Sequence, residues 1–427
     1  MLNRIRQPQS NEVNFDVCKL PECRLLRNGV KMYCVNISST ELVRVDIMFK
    51  GGQWLQHKPL QAGMAYKLIK DGSRLYPHAI ISERLDYYGA VVDAGVNMSY
   101  GRVGVTCLRK LLPNVLPIVL DMILQPEFSS ERLDLALSQA RVSYDVSMRT
   151  VTEQCKRIFY KSLFEEGHPM SQFPETDDYA NLTVEDLQSY VESGLCLDNL
   201  TVFLTGALDS SLIQYVDDEV GGMQINRKDS SFVDFGKLTN WTPQKRRFVH
   251  EMQVPVVQSC LRMGCRGVQR VHSDYVPLMV LTTMLGGYFG SRLMTNIREE
   301  KGLTYDISAS LYQTPQTTLL SICTETQRGN EERVIEEVYK EMRRLTEERP
   351  SEAELAQVKS YILGYMCRAY ETNFNLSLRL MNLCSNGLSL SDIIAESKIV
   401  EGITPDDIVN TAQRYFSFDK MVECIAM

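Results

Sequence analysis

The chain has 427 residues, 44% of them hydrophobic and 23% charged, a balance that excludes disordered, collagenous and coiled-coil arrays. At about 150 residues per domain it predicts two large or three smaller domains, with chain enough for a substantial core. The formal charge of −7 comes from 53 acids and 46 bases spread along the sequence. No basic stripe exists to meet a phosphate backbone, so nucleic acid is not expected as a partner.

The N-terminal stretch MLNRIRQPQSNEVNFDV has no apolar signal-peptide core, and the twelve cysteines, dispersed from Cys18 to Cys424, include no CxxC pair. Such usage predicts buried, reduced thiols and a cytoplasmic location. Along the chain, a strand is expected near residues 43–50, then a helix, then paired strands over 90–107. Phe128-Ser129-Ser130-Glu131 reads as the capped start of a long amphipathic helix, and a second helix follows it. Leu182-Thr183-Val184-Glu185-Asp186-Leu187 starts a closing helix that leads into a strand after Leu197-Asp198-Asn199.

Residues 221–247 are polar, rich in Gly, Ser and Lys, and read as a linker between a first domain (1–220) and a second (248–427). The second stretch repeats the first. Strands are expected near 256–264 and over 304–324. Pro350-Ser351-Glu352 repeats the first capped start, and Ile403-Thr404-Pro405-Asp406-Asp407-Ile408 repeats the second at nearly the same offset. Lys301-Gly302-Leu303 through Asp306 parallels Tyr88-Gly89-Ala90 through Asp93 at a slightly shorter one. The pattern predicts an α+β fold twice over, each half an antiparallel sheet with helices on one face.

Local chemistry is sparse. His57, His78, His168, His250 and His272 include no i, i+4 pair for a metal, and no GxSxG, Walker or dinucleotide fingerprint is present. Cys260 and Cys265 have Arg262 and Arg266 nearby but lie in an expected core strand, where thiols are inert. The alternating charges of 328–354 describe the solvated face of a helix, and the uncharged run 275–290 is a buried helix too short for a membrane span. Gly286-Gly287-Tyr288-Phe289-Gly290-Ser291 lacks a phosphate-cradling lysine and reads as close helix packing. The helix that follows ends at Gly302. Arg298 there is either a C-terminal cation or, with Tyr305 on the next strand, one of a pair of hydrogen-bond donors.

From Leu285 to Tyr305 the chain resembles the pitrilysin/insulinase-type inverzincin zinc-peptidase family, especially its processing-peptidase-like branch, through the pattern LGGxxxSRLxxxxREExGLxY. The resemblance implies two α+β halves per subunit and two subunits closing over an unfolded peptide. It also implies a zinc motif HxxEH, which here falls on Tyr66, Ile69 and Lys70 within Gly63-Met64-Ala65-Tyr66-Lys67-Leu68-Ile69-Lys70. None of the three can serve as a zinc imidazole or general base. The family's third ligand, a glutamate, falls near residues 143–145, where there is none. What remains is Arg298 and Tyr305, the family's substrate-binding pair. The resemblance therefore implies a non-zinc subunit that binds peptide beside a homologous zinc-bearing partner, or a homodimer when isolated, with no metal in this chain and no membrane contact. The alternative is a scaffold on the same fold, like the core subunits of respiratory complexes.

Overall fold

Val43, Val45, Ile47 and Phe49 alternate along one strand and put its inner face into a core. The computed structural model describes residues 21–36, 40–225, 242, 243, 245–368 and 373–427. Most of the expected linker, 226–241 and 244, lies outside the described residues. The first half runs β1 (Glu22–Leu25), β2 (Lys31–Asn36), β3 (Leu42–Lys50), α1 (Gln61–Leu68), α2 (His78–Tyr87), β4 (Val91–Val96) and β5 (Tyr100–Leu108). It continues with α3 (Leu112–Leu124), α4 (Ser130–Ser147), α5 (Val151–Leu163), α6 (Asp178–Asn181), α7 (Val184–Gly194), β6 (Leu200–Gly206) and α8 (Ser210–Val220).

The second half runs β7 (Arg247–His250), β8 (Gln258–Arg266) and α9 (Tyr275–Thr282), then two π-helical segments, Thr283–Gly287 and Met294–Glu300. There follow β9 (Thr304–Gln313), β10 (Thr318–Gln327), α10 (Glu331–Glu347), α11 (Glu352–Arg368), α12 (Asn373–Ser385), α13 (Leu390–Gly402), α14 (Pro405–Tyr415) and β11 (Val422–Ala426). Among the described residues no helix is long and apolar enough to cross a membrane.

The strand orders are β1-β2-β6-β3-β5-β4 and β7-β11-β8-β10-β9. Once β1 is set aside they correspond strand for strand. Neighbours are antiparallel except β2 with β6 and β7 with β11, which run parallel. Both sheets are therefore mixed, a correction to the antiparallel expectation. The strands responsible, β2 and β7, were absent from that expectation, and each is joined to its parallel neighbour by most of its half of the chain, which a parallel crossover requires.

The repeat extends to local chemistry. The hydroxyls of Thr183 and Thr404 each accept from the backbone N–H three residues on, at 3.3 Å, and Asp186 and Asp407 return the bond to the threonine N–H at 3.0 and 2.8 Å. Gly89 and Gly302 end equivalent helices at φ +58° and +61°, a conformation that strains any side chain.

Helices α5 and α12 occupy equivalent places in the repeat, Val151–Leu163 matching Asn373–Ser385 end for end, and each covers the other half's sheet. On α5, Cys155, Phe159 and Leu163 pack with Cys260, Leu319, Val422 and Cys424 of the second sheet, and a Cβ at Gly264 would stand 2.8 Å from the Phe159 ring. On α12, Leu376, Leu380 and Met381 pack with Val35, Met48 and Phe203 of the first. Ser377 of α12 donates to Asp46 of β3 at 3.3 Å. Asp46 is fully buried and also accepts from Arg44 at 2.7 and 2.8 Å and from Arg102 at 3.0 Å, in space left by the missing side chain of Gly104.

Removing Asp46 would leave two arginines short of their counter-ion beneath α12. Asp46→Ala is expected to cost about 3–5 kcal/mol in denaturant unfolding, while Asp93→Ala, at the exposed rim of the same cluster, costs ~1 kcal/mol or less. Equal losses in the two variants would contradict this picture of the exchange.

Candidate functional site

The region matched to the zinc motif is filled, not open. Tyr66 lies on α1 with its ring buried, edge-on to Tyr190 of α7 at 6.3 Å, and the Tyr190 hydroxyl donates to the Gly52 carbonyl at 2.9 Å. Burial holds the Tyr66 phenol well above its ordinary pKa, which keeps it protonated at neutral pH. Gly101 of β5 makes room for this ring, since a Cβ there would come within 2.3 Å of its hydroxyl. Ile69 is buried at the end of α1, whereas Lys70 lies past that end and is exposed. The three positions do not converge.

The segment matched to the third ligand is engaged elsewhere. Ser143 donates to the Gln139 carbonyl at 3.2 Å, Tyr144 donates to Glu175 at 3.2 Å, and Asp145 pairs with Arg141 at 3.0 Å. Among the described residues no group of three His, Cys, Asp or Glu side chains could hold a metal ion. Cys260 and Cys265 are buried, and burial pushes the Cys265 thiol up to about 11, which leaves it protonated at neutral pH.

Arg298 and Tyr305 are brought together. The Arg298 guanidinium carbon lies 5.1 Å from the Tyr305 ring centre and 4.8 Å from that of Phe289, so the cation is held between two exposed rings. Neither Arg298 nor Tyr305 has a side-chain hydrogen-bond or ion-pair partner among the described residues. The neighbouring cation behaves differently. Lys301 donates to Asn296 at 2.7 Å and pairs with Glu337, and Asn296 donates to Glu337 at 3.1 Å and to buried Glu341 at 2.7 Å. The Lys301 ammonium holds the Glu337 carboxyl below its usual range. This network fixes the turn that carries Arg298 and leaves its donors free.

The helix before Gly302 is π-helical over Met294–Glu300, with Lys301 N–H donating to the Asn296 carbonyl at 3.2 Å, a winding frequent at functional sites. The glycine loop packs as expected at Gly286, where a Cβ would stand 2.6 Å from the Ala309 nitrogen. The sequence pattern assigns Phe289 no part of its own. A large apolar residue between Tyr288 and Gly290, at an exposed position of the glycine loop, is the signal that was available.

In the first half, the positions that correspond to the pair when Gly89 is aligned with Gly302 hold Leu85 and Val92, both packed against its core. The pair is thus particular to the second half.

Two mixed sheets in a duplicated α+β fold, a filled motif region and an unpaired arginine between rings are the features that the comparisons with known proteins meet. Residues 181–362 match the family described as Peptidase M16 inactive domain. It is 22% identical over 425 residues to an uncharacterized zinc protease of Rickettsia felis, covering 95% of each chain. It is 24% identical to a Bacillus subtilis protein named as a probable inactive metalloprotease, YmfF, across 63% of this chain and 59% of that one. The crystal structure of a peptidase M16 inactive domain from Pseudomonas fluorescens shares the fold, with a TM-score of 0.82 at 18% identity over 95% of this chain and 98% of that one.

The donor set at positions 66, 69 and 70 does not suit zinc. The purified chain is expected to hold well under one zinc per molecule by elemental analysis after gel filtration, and to cleave no unfolded peptide. One tightly held zinc per chain, or chelator-sensitive cleavage by the chain alone, would contradict the reading.

Proposed function

We propose that this chain is the substrate-binding, non-zinc subunit of a heterodimeric zinc peptidase acting on peptides or unfolded polypeptides. The zinc and the general base belong to a homologous HxxEH-bearing partner. The observation that carries this is the Arg298 guanidinium, fixed between Phe289 and Tyr305 with its N–H donors unpaired. A cation serving only the helix end would lie on the last carbonyls or a nearby carboxylate, as Lys301 does. Such donors suit a peptide carbonyl, and they bind it more strongly as negative charge develops on its oxygen. Tyr305 offers a neutral phenol donor beside it. Similarity to an inactive-domain family, to a protein named a probable inactive metalloprotease and to one named a zinc protease supports the division of labour. The same proposal places the chain in the cytoplasm, in keeping with its buried thiols.

The test is steady-state kinetics on the heterodimer reconstituted with its zinc-bearing partner. Arg298→Ala or Tyr305→Phe should lower kcat/KM by ~10²-fold, about 2.7 kcal/mol, with complex formation intact. Thermal melts should move by no more than the ~0.3–1 kcal/mol of a helix-end charge. Unchanged kcat/KM in both variants would remove the peptidase-subunit reading and leave the scaffold alternative.

A further inference from the structure

Arg298 is one end of a longer exposed surface. Tyr288, beside Phe289 in the glycine loop, lies against Tyr361 of α11 with ring centres 5.3 Å apart, and Tyr365 follows one turn later on the same helix face. Phe289, Tyr361 and Tyr365 are 62%, 44% and 62% exposed, and Tyr305 is 84% exposed. Single exposed apolar side chains are ordinary, but several exposed rings on the glycine loop, β9 and one face of α11, beside an unpaired cation, are not. Gly290 keeps the loop close, since a Cβ there would come within 3.0 Å of the Tyr288 ring.

We propose, resting on the substrate-binding reading above, that this surface is the specificity subsite of that site. Its occupant is an extended polypeptide segment with a large apolar side chain, aromatic above all, next to the backbone carbonyl held by Arg298. Two properties of the surface select this occupant together. The unpaired guanidinium calls for an oxygen acceptor, which an extended chain presents at every residue, about 3.3 Å apart. The flanking rings call for a flat apolar group, and they cost little conformational entropy to use because Tyr and Phe have only two side-chain torsions. A uniformly polar peptide meets the first requirement and leaves the rings wet. An apolar small molecule meets the second and leaves the cation unpaired.

The experiment is an anisotropy titration of the full chain with dye-labelled, unstructured peptides identical except for Phe or Ser at the central position. The wild-type chain should bind the Phe peptide at least ~10-fold more tightly than the Ser peptide. Phe289→Ser combined with Tyr365→Ser should bring the two within ~2-fold by weakening only the Phe peptide, and both replaced rings are exposed enough for the fold to survive. Arg298→Ala should weaken both peptides alike. Equal affinities in the wild type, or discrimination that survives the double substitution, would overturn the subsite, and a loss on Arg298→Ala would still uphold the substrate-binding reading. Binding of neither peptide would overturn both. If the double variant keeps its discrimination but loses the zinc-bearing partner, the rings belong to a subunit contact and the proposal fails.

Discussion

Each half of this molecule has a sheet with two faces to bury, and its own helices cover only one. The other is closed by a helix from the opposite half, α5 on the second sheet and α12 on the first. Neither sheet can be completed without its partner, so the halves fold as a mutually dependent pair, and the surfaces they present stand at fixed positions in one frame. The exchange is not purely apolar. Asp46 lies beneath α12 with Arg44, Arg102 and Ser377 around it, a contact that constrains the register of that helix more sharply than leucine packing would.

The same duplication shows how one site closes while another stays open. In the first half, the helix matched to the zinc motif carries Tyr66, which occupies a slot that Gly101 leaves in β5, while Ile69 joins the core. Changing single residues there would meet a packed interior. In the second half, the equivalents of Leu85 and Val92 are Arg298, on a π-helical turn held by the Asn296, Glu337, Glu341 and Lys301 network, and Tyr305 on β9. Charge satisfied below the turn and left unsatisfied above it is the physical asymmetry on which the functional reading rests.

Much of this was legible in the chain because caps and turns are local chemistry. Thr183 with Asp186, Thr404 with Asp407, and the paired Gly89 and Gly302 reveal the repeat without knowledge of any long-range contact. What was not legible is non-local. Apolar periodicity along α5 and α12 says that each has a face to bury but not which sheet receives it. Strands β2 and β7 were not anticipated, and nothing local in them says that their neighbours run parallel. The π-helical winding around Arg298 and the part played by Phe289 have no spacing signature either, since both follow from how the loop closes against β9 and α11.

The central claim is that substrate lies against this chain although the reacting centre does not belong to it. The most direct measurement is photo-crosslinking of an unfolded peptide carrying a benzophenone side chain to the intact heterodimer, with the attachment points mapped by mass spectrometry. The account predicts attachment to this chain within residues 286–305, lost on competition with unlabelled peptide. Attachment confined to the zinc-bearing subunit, with none on this segment, would contradict it.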